Sequence, residues 1–510
     1  MTRPPSRGGS RGGRGLPPKG RPGRRGPSGP RPPAGTSESL PRSELPALSQ
    51  GDARDRVHAR LMRIARKYPD LPIGSVDISG LSTRDGAFAK ALEQIVLQRW
   101  NTLHAIAASQ VDRDWRMLQG SIRTALLAGT AELLFMDSVP DHAAINETVT
   151  RVRRHVHQGA AGLVNAVLRR IARLRGETLP ADHPDARNFH AHRDLIPLAD
   201  GRAIRLTAPI LDADEVTRLA QQTSHGEPLV VHWIAAHGLA KTRELCHHDL
   251  VRPPVCVTAS DPSTLESFAG PDGPLTPHER FGFFVVDTER LDLGAFLAED
   301  PTRRVQDPAS AEPVAATSGL RPKLIVDFCA GRGTKTRQLA ETHPDAEILA
   351  TDVDRTRYED LRRVFVDHPR VRVVTPDDMR EAIGRADLLV LDVPCSNTGV
   401  LPRRPEARYR FDASTLKDIA SLQRRIVRET EPFLAPDGAI LLATCSLEPL
   451  ENRRMAAWIE RRFGMRIRSE SQRFPSGVPG DPPTTIHDGS YHAVLVRRDD
   501  DDDESPRRTH

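Results

Sequence analysis

From Lys323 to Arg497 the chain alternates short apolar runs with longer amphipathic stretches, a rhythm that few folds accommodate. The runs fall at 324–328, 348–350, 371–374, 388–391, 439–443 and 493–496, and stretches such as 414–434 lie between them. Runs that are apolar throughout belong to strands buried on both faces, and the intervening helices supply the covering layers. The pattern predicts a doubly wound, mostly parallel α/β sheet. Its ligands should bind at the C-terminal ends of the strands.

The first strand runs out through Asp327-Phe328-Cys329-Ala330-Gly331-Arg332-Gly333-Thr334-Lys335-Thr336 into a helix. Glycines at 331 and 333 let the backbone turn sharply and approach a ligand. Asp352 closes the next strand about twenty residues on, where an acid can take a ribose hydroxyl. A phosphate loop is excluded because Thr334, not glycine, precedes Lys335. The third glycine of a dinucleotide fingerprint is also missing, so a nucleoside without phosphates, S-adenosylmethionine, fits better than NAD. Only seven of the 73 basic residues are lysines, so Lys335 at the mouth of the loop points to a need for a compact or titratable amine.

The fourth strand ends in Asp392-Val393-Pro394-Cys395-Ser396-Asn397-Thr398-Gly399 and the fifth in Ala443-Thr444-Cys445-Ser446. An enzyme that methylates amino groups would carry an aromatic residue after the proline. Two cysteines past the ends of adjacent strands point instead to thiol catalysis beside a cofactor loop. Carbon 5 of a pyrimidine is a poor nucleophile until a thiolate adds at carbon 6. Carbon 5 can then take a sulfonium methyl, lose its proton and release the thiol. A carboxylic acid near N3 of cytosine, such as a protonated Asp392, would stabilise the adduct.

The rest of the chain is organised around this unit. Residues 51–178 have helical periodicity, as in Val164, Val167, Leu168 and Ile171. Within them, residues 148–175 hold seven arginines and no acid, and Arg151, Arg153, Arg154, Arg169, Arg170 and Arg173 are expected to form a phosphate-binding face. Residues 179–300 read as a linker and small mixed α/β unit, and 301–498 as the catalytic domain. Residues 1–50, rich in Arg, Gly and Pro, and the acidic run 499–510 are expected to be disordered tails. The nine positive charges of residues 1–34 and the four net negative charges of 499–510 account for the whole net charge of +5, so residues 35–498 are neutral. Any nucleic-acid surface on the folded part must therefore be a local patch. Five cysteines without a C-x-x-C pair exclude a disulfide scaffold or zinc ribbon, and Cys246, His247, His248 and Cys256 match no metal-ligand spacing. No apolar run approaches a membrane span, so the expectation is a cytoplasmic protein without metal, acting as a monomer.

At these residues the sequence resembles the Sun/Nop-type RNA cytosine-C5 methyltransferases, in particular a bacterial branch that acts on small-subunit ribosomal RNA and carries a NusB-like helical domain in front. The resemblance spans roughly residues 55–498. It rests on Val139 to Glu147, Gly162 to Arg170, Gln306-Asp307-Pro308-Ala309-Ser310, Asp392 to Leu401, and Thr444-Cys445-Ser446 with Glu451 and Asn452. It implies an all-α NusB-like domain followed by a Rossmann-like S-adenosylmethionine-dependent methyltransferase domain. By resemblance, Cys329, Ala330, Gly331, Arg332, Gly333, Thr334 and Lys335 would hold the methionine part of the cofactor. Asp352 would hold the ribose and Asp377, or else Asp378, the adenine side. Cys445 would be the nucleophile, Cys395 would assist release of the methylated base, and Asp392 would bridge the two sites. Where the family usually reads Cys-Ala-Ala-Pro-Gly-Gly-Lys, this chain has Gly331, Arg332 and Thr334. The rival readings are a non-catalytic RNA-binding factor of the ribosome-assembly or antitermination type, and a DNA cytosine methyltransferase that uses the Pro-Cys thiol alone.

Overall fold

The computed structural model of the chain describes residues 48–71 and 74–497. The expected tails at 1–50 and 499–510 lie outside the described residues, apart from 48–50. The chain opens with α1 (Ala53–Ala65), α2 (Thr83–Ser109), α3 (Gly120–Phe135), α4 (Asp141–His155) and α5 (Gln158–Leu174). Asp52 and Ser82 cap α1 and α2 by accepting the amides of Asp55 and Asp85. The apolar stripe of α5 (Val164, Val167, Leu168 and Ile171) is buried against α3 and α4. Gly129 of α3 lets α5 approach closely, since a Cβ there would lie 2.8 Å from Leu168.

The arginines of 148–175 do not act as one face. Arg151 is buried, with Nη2 2.6 Å from Asp52 and Nε 2.8 Å from Asp55, and Glu147 stands 3.5 Å away. It staples α4 to the start of α1 and offers nothing to a phosphate. Arg170 pairs with Asp112 at 2.8 Å and Arg175 with Asp137 at 2.5 Å. Arg153, Arg154, Arg169 and Arg173 remain exposed.

Packing does not break at residue 178. The sheet of β1 (Arg175–Leu179), β2 (Leu195–Pro197) and β3 (Ala203–Leu206) puts Ile196, Ile204 and Leu206 into the helical core. Helices α6 (Glu215–Thr223) and α7 (Glu227–His248, broken at Gly238) follow. They lead to a second small sheet of β4 (Cys256–Thr258), β5 (Leu275–Pro277), β6 (Phe284–Val286) and β7 (Arg304–Val305).

After α8 (Pro308–Ala315) comes the seven-stranded sheet. Its strands are β8 (Leu324–Asp327), β9 (Glu347–Ala350), β10 (Val371–Val373), β11 (Ala386–Asp392), β12 (Leu434–Thr444), β13 (Met465–Arg473) and β14 (Ser490–Arg497). They lie in the order β10-β9-β8-β11-β12-β14-β13, all running the same way except β14, which is antiparallel to both of its neighbours. Alternate residues face opposite layers. Leu324 and Val326 meet α11 (Ala413–Thr430) and α12 (Arg453–Phe463) in one core, while Ile325 joins residues of α8, α9 (Thr334–Thr342) and α10 (Arg355–Val364) in the other. The order reverses between β8 and β11, and in open sheets of this kind the ligand crevice lies outside the C-terminal ends of the strands at that point.

The loop after β11 ties this sheet to everything before it. Arg408 is buried, donating from Nη1 to the Gln98 carbonyl at 3.1 Å and from Nη2 to that of Asp249. The Tyr409 hydroxyl donates to the Leu97 carbonyl at 2.6 Å and lies 3.0 Å from the Ser224 hydroxyl.

Removing Arg151 would leave Asp55 buried without its cation, so Arg151→Ala should cost about 3 kcal/mol of stability, the scale for breaking a buried pair. Arg153→Ala on the exposed side should stay within about 0.5 kcal/mol. Urea unfolding of both variants separates a structural Arg151 from a surface one.

Candidate active site

The site is assembled from the ends of β8, β9, β11 and β12 and the start of α9. Asp327 is buried at the end of β8 and accepts the Thr336 hydroxyl at 2.7 Å, which fixes the first turn of α9. Burial pushes its carboxyl up to about 7 against that hydrogen bond. Between them Gly331 adopts φ +60° in open space, while Gly333 adopts φ +90° where a Cβ would sit 2.5 Å from the Phe365 ring. The turn thus needs glycine for its conformation at the first and for both conformation and packing at the second.

Asp352, just past the end of β9, holds this loop. Its Oδ2 accepts the Gly331 amide at 3.0 Å and its Oδ1 the Asp354 amide at 2.8 Å, and Arg357 stands 3.4 Å away. Arg332 turns outward to Asp360 at 3.1 Å with its side chain 71% exposed, so only its backbone is left to the crevice. Asp377 and Asp378 are both exposed beyond β10. Asp377 lies 3.5 Å from Arg380, and Asp378 accepts the Thr375 hydroxyl at 2.7 Å.

Lys335 projects from α9 toward the end of β11. Its Nζ is 2.9 Å from Asp392 Oδ2 and 3.4 Å from the Ser310 hydroxyl. Burial works against its charge, but the Asp392 carboxylate and the Cys445 sulfur outweigh it and raise the amine above its ordinary value. Lys335 and Asp392 thus face one another at the end of β11, at the mouth of the cofactor loop.

The two thiols meet. Cys395 Sγ and Cys445 Sγ are 3.1 Å apart, and Cys445 Sγ lies 3.4 Å from Asn397 Oδ1. The hydrogen bond to Cys445 and burial hold the Cys395 thiol well above its usual range. Asn397 sits at φ +62°, a left-handed conformation that asparagine tolerates, and donates Nδ2 to the Cys395 carbonyl at 3.0 Å.

Sequence reasoning gave no role to the group that clamps both thiol loops. Glu451 accepts the Ser396 amide at 2.9 Å, and its Oε2 accepts the hydroxyls of Ser396 and Ser446 at 2.5 Å each. Burial pushes its carboxyl up to about 7 despite these bonds. Asn452 adds a second clamp, donating to the Ser446 carbonyl at 2.7 Å and accepting the Thr444 hydroxyl at 2.6 Å. Glu448 of the same turn accepts from His232 at 2.6 Å and from the Trp233 indole at 3.1 Å, which anchors the turn to α7. The only sequence signal was the Glu451-Asn452 pair soon after Cys445.

Among the described residues no group of three or more His, Cys, Asp or Glu side chains gathers as metal ligands do, and no helix is long and apolar enough to cross a membrane.

Residues 320–474 match the family described as 16S rRNA methyltransferase RsmB/F, and residues 53–173 match the NusB family. Among curated proteins, the ribosomal RNA small subunit methyltransferase B of Vibrio cholerae is 26% identical over 428 residues, covering 81% of this chain and 90% of its own length. Its namesake in Xanthomonas campestris is 27% identical over 452 residues, covering 81% and 89%. The crystal structure of PH0851 superposes over 82% of this chain and 91% of its own with a TM-score of 0.59 at 16% identity, a likeness of fold.

A test of the Glu451 clamp follows from its raised carboxyl. The folded state keeps this proton up to about 7, whereas an unfolded glutamate loses it near 4.5, so this group's contribution to stability falls as pH rises through that window. Glu451→Gln cannot titrate. Relative to wild type, its stability should therefore improve by up to about 3 kcal/mol between pH 4.5 and 7. Urea midpoints of both proteins measured across that range report the difference, and parallel curves would refute it.

Proposed function

We propose that this chain, whose residues 53–173 match the NusB family and whose residues 320–474 match the RsmB/F methyltransferase family, methylates carbon 5 of a cytosine in small-subunit ribosomal RNA using S-adenosylmethionine. The observation that carries the reading is the thiol pair. Cys395 Sγ lies 3.1 Å from Cys445 Sγ with its own thiol held well above its usual range, and Cys445 is the sulfur we assign to the attack.

The crevice fits the cofactor on its own terms. Gly331 faces open space, so a ligand can approach the backbone of the 329–335 loop. Asp352 Oδ1 accepts one amide and retains a lone pair for a ribose hydroxyl. When bound, the cofactor supplies an electrophilic methyl group. Cys445 Sγ then adds to carbon 6 of the base, and the electron pair of the 5,6 bond becomes available at carbon 5. Lys335 donates to Asp392 at 2.9 Å, and this pair is the one we assign to steady charge toward N3. Once Cys445 is bonded to carbon, its hydrogen bond to Cys395 is gone. We assign Cys395 to assist the release step, in which a base takes the carbon 5 proton and the electron pair of that C–H bond re-forms the 5,6 double bond as Cys445 is expelled as thiolate. Arg153, Arg154, Arg169 and Arg170 are the residues of the helical domain we assign to RNA. The protein would work as a monomer in the cytoplasm.

Two predictions test this reading. Cys445→Ala should abolish methyl transfer to ribosomal RNA and form no adduct. Cys395→Ala should attack the base and stall, leaving a protein–RNA band on a denaturing, non-reducing gel. An adduct with Cys445→Ala alone would exchange the roles, and neither adduct with methylation retained would remove the covalent mechanism. For the cofactor, Asp352→Ala should weaken S-adenosylmethionine by about 1–3 kcal/mol by calorimetry, the range for losing a charged acceptor.

A further inference from the structure

On the outer side of α11 and α12, a cleft of about 610 Å³ is lined by Arg424, Arg453, Arg454, Arg461, Leu450 and Trp458. None of these four arginines forms an ion pair among the described residues, and the Nε of Arg424 is buried without a hydrogen-bond partner. Arg454, Trp458 and Arg461 fall at i, i+4 and i+7, so they share one face of α12. The guanidinium groups of Arg424 and Arg428 lie 5.7 and 5.8 Å from the Trp458 ring centroid.

The placement of Arg453 and Arg454 is electrostatically unfavourable for the helix itself. They occupy the first turn of α12, where the helix dipole favours anions and where no acidic side chain stands. Four arginines lining one cleft with no acid among the lining residues suit an external anion. The cleft also adjoins the thiol loops. α12 begins directly after Asn452, which holds Ser446, and Gln423 beside Arg424 donates to the Pro394 carbonyl at 3.0 Å.

We propose that this cleft docks the single-stranded RNA flanking the target base, with phosphates on Arg424, Arg453, Arg454 and Arg461 and a base packed against Trp458. Phosphates alone would need no aromatic ring, and a duplex would keep its bases stacked on one another, whereas an unpaired strand uses both features. The proposal rests on RNA being the substrate of the thiol site.

The test uses the full chain, a fluorescein-labelled 16-nucleotide oligouridylate and methyl transfer to ribosomal RNA. Replacing Arg453, Arg454 and Arg461 together with Gln should weaken oligouridylate binding at least tenfold and lower the log–log salt slope by about 2. Trp458→Leu should weaken it fivefold or more with the slope unchanged, and Trp458→Phe should restore most of the loss. Thermal melting checks that each variant is folded. Wild-type affinity and slope in the triple variant, alongside intact wild-type methyl transfer, would overturn the docking cleft while leaving the proposed activity standing. A wild-type chain that binds the RNA through this cleft but transfers no methyl group would overturn the activity and not the cleft. Loss of binding in the triple variant with Trp458→Leu at wild-type affinity, and equal competition by polyglutamate, would replace the RNA proposal with a general polyanion surface.

Discussion

Neighbouring strands of a sheet stand about 4.8 Å apart, yet the sulfurs that leave β11 and β12 approach to 3.1 Å. The two loops that carry them are held to one another by the Glu451 carboxyl, which accepts from Ser396 and Ser446 at once. Burying a carboxyl is costly in itself, and three donors at 2.5–2.9 Å offset the cost while its raised pKa records what remains. The other groups take their positions from this closure. Asn397 turns into the left-handed region to bring its carboxamide to Cys445, and Lys335 meets Asp392 at the end of the same strand. Glu448 extends the same turn to α7, so the two sulfurs are braced from outside the sheet as well.

The sheet was legible because its inner strands are buried on both faces and leave uninterrupted apolar runs. β13 was not, because its sequence, MRIRSESQR, is that of an edge strand with one exposed face. The three-residue strands between 195 and 286 are too short to leave a period at all. In the site, Gly331 and Gly333 declared themselves through the conformation only glycine adopts easily, and the thiols through their position after strands. Glu451 did not, since nothing in a sequence distinguishes an acid at the start of an exposed helix from one sealed between two loops. Arg151 illustrates the opposite error. A window of 28 residues without an acid looked like a cationic face, but folding delivers Asp52 and Asp55 from a hundred residues away. Charge counted along a chain is not charge counted in space.

The buried Arg408 joins segments that lie far apart in the chain: its guanidinium serves carbonyls at Gln98 in the helical domain and at Asp249 in the connecting region. Both acceptors are backbone atoms, so the link depends on the exact path of the main chain there. Position 98 offers only its carbonyl to this link, whereas Asp249 also holds the buried His225 through its carboxylate at 2.8 Å. A one-residue insertion or deletion in α2, in the turn after α7 or in the loop beyond β11 would displace an acceptor or the donor and strand a cation inside the protein. One buried guanidinium thus fixes the relative register of the helical domain, the connecting region and the loop beyond β11.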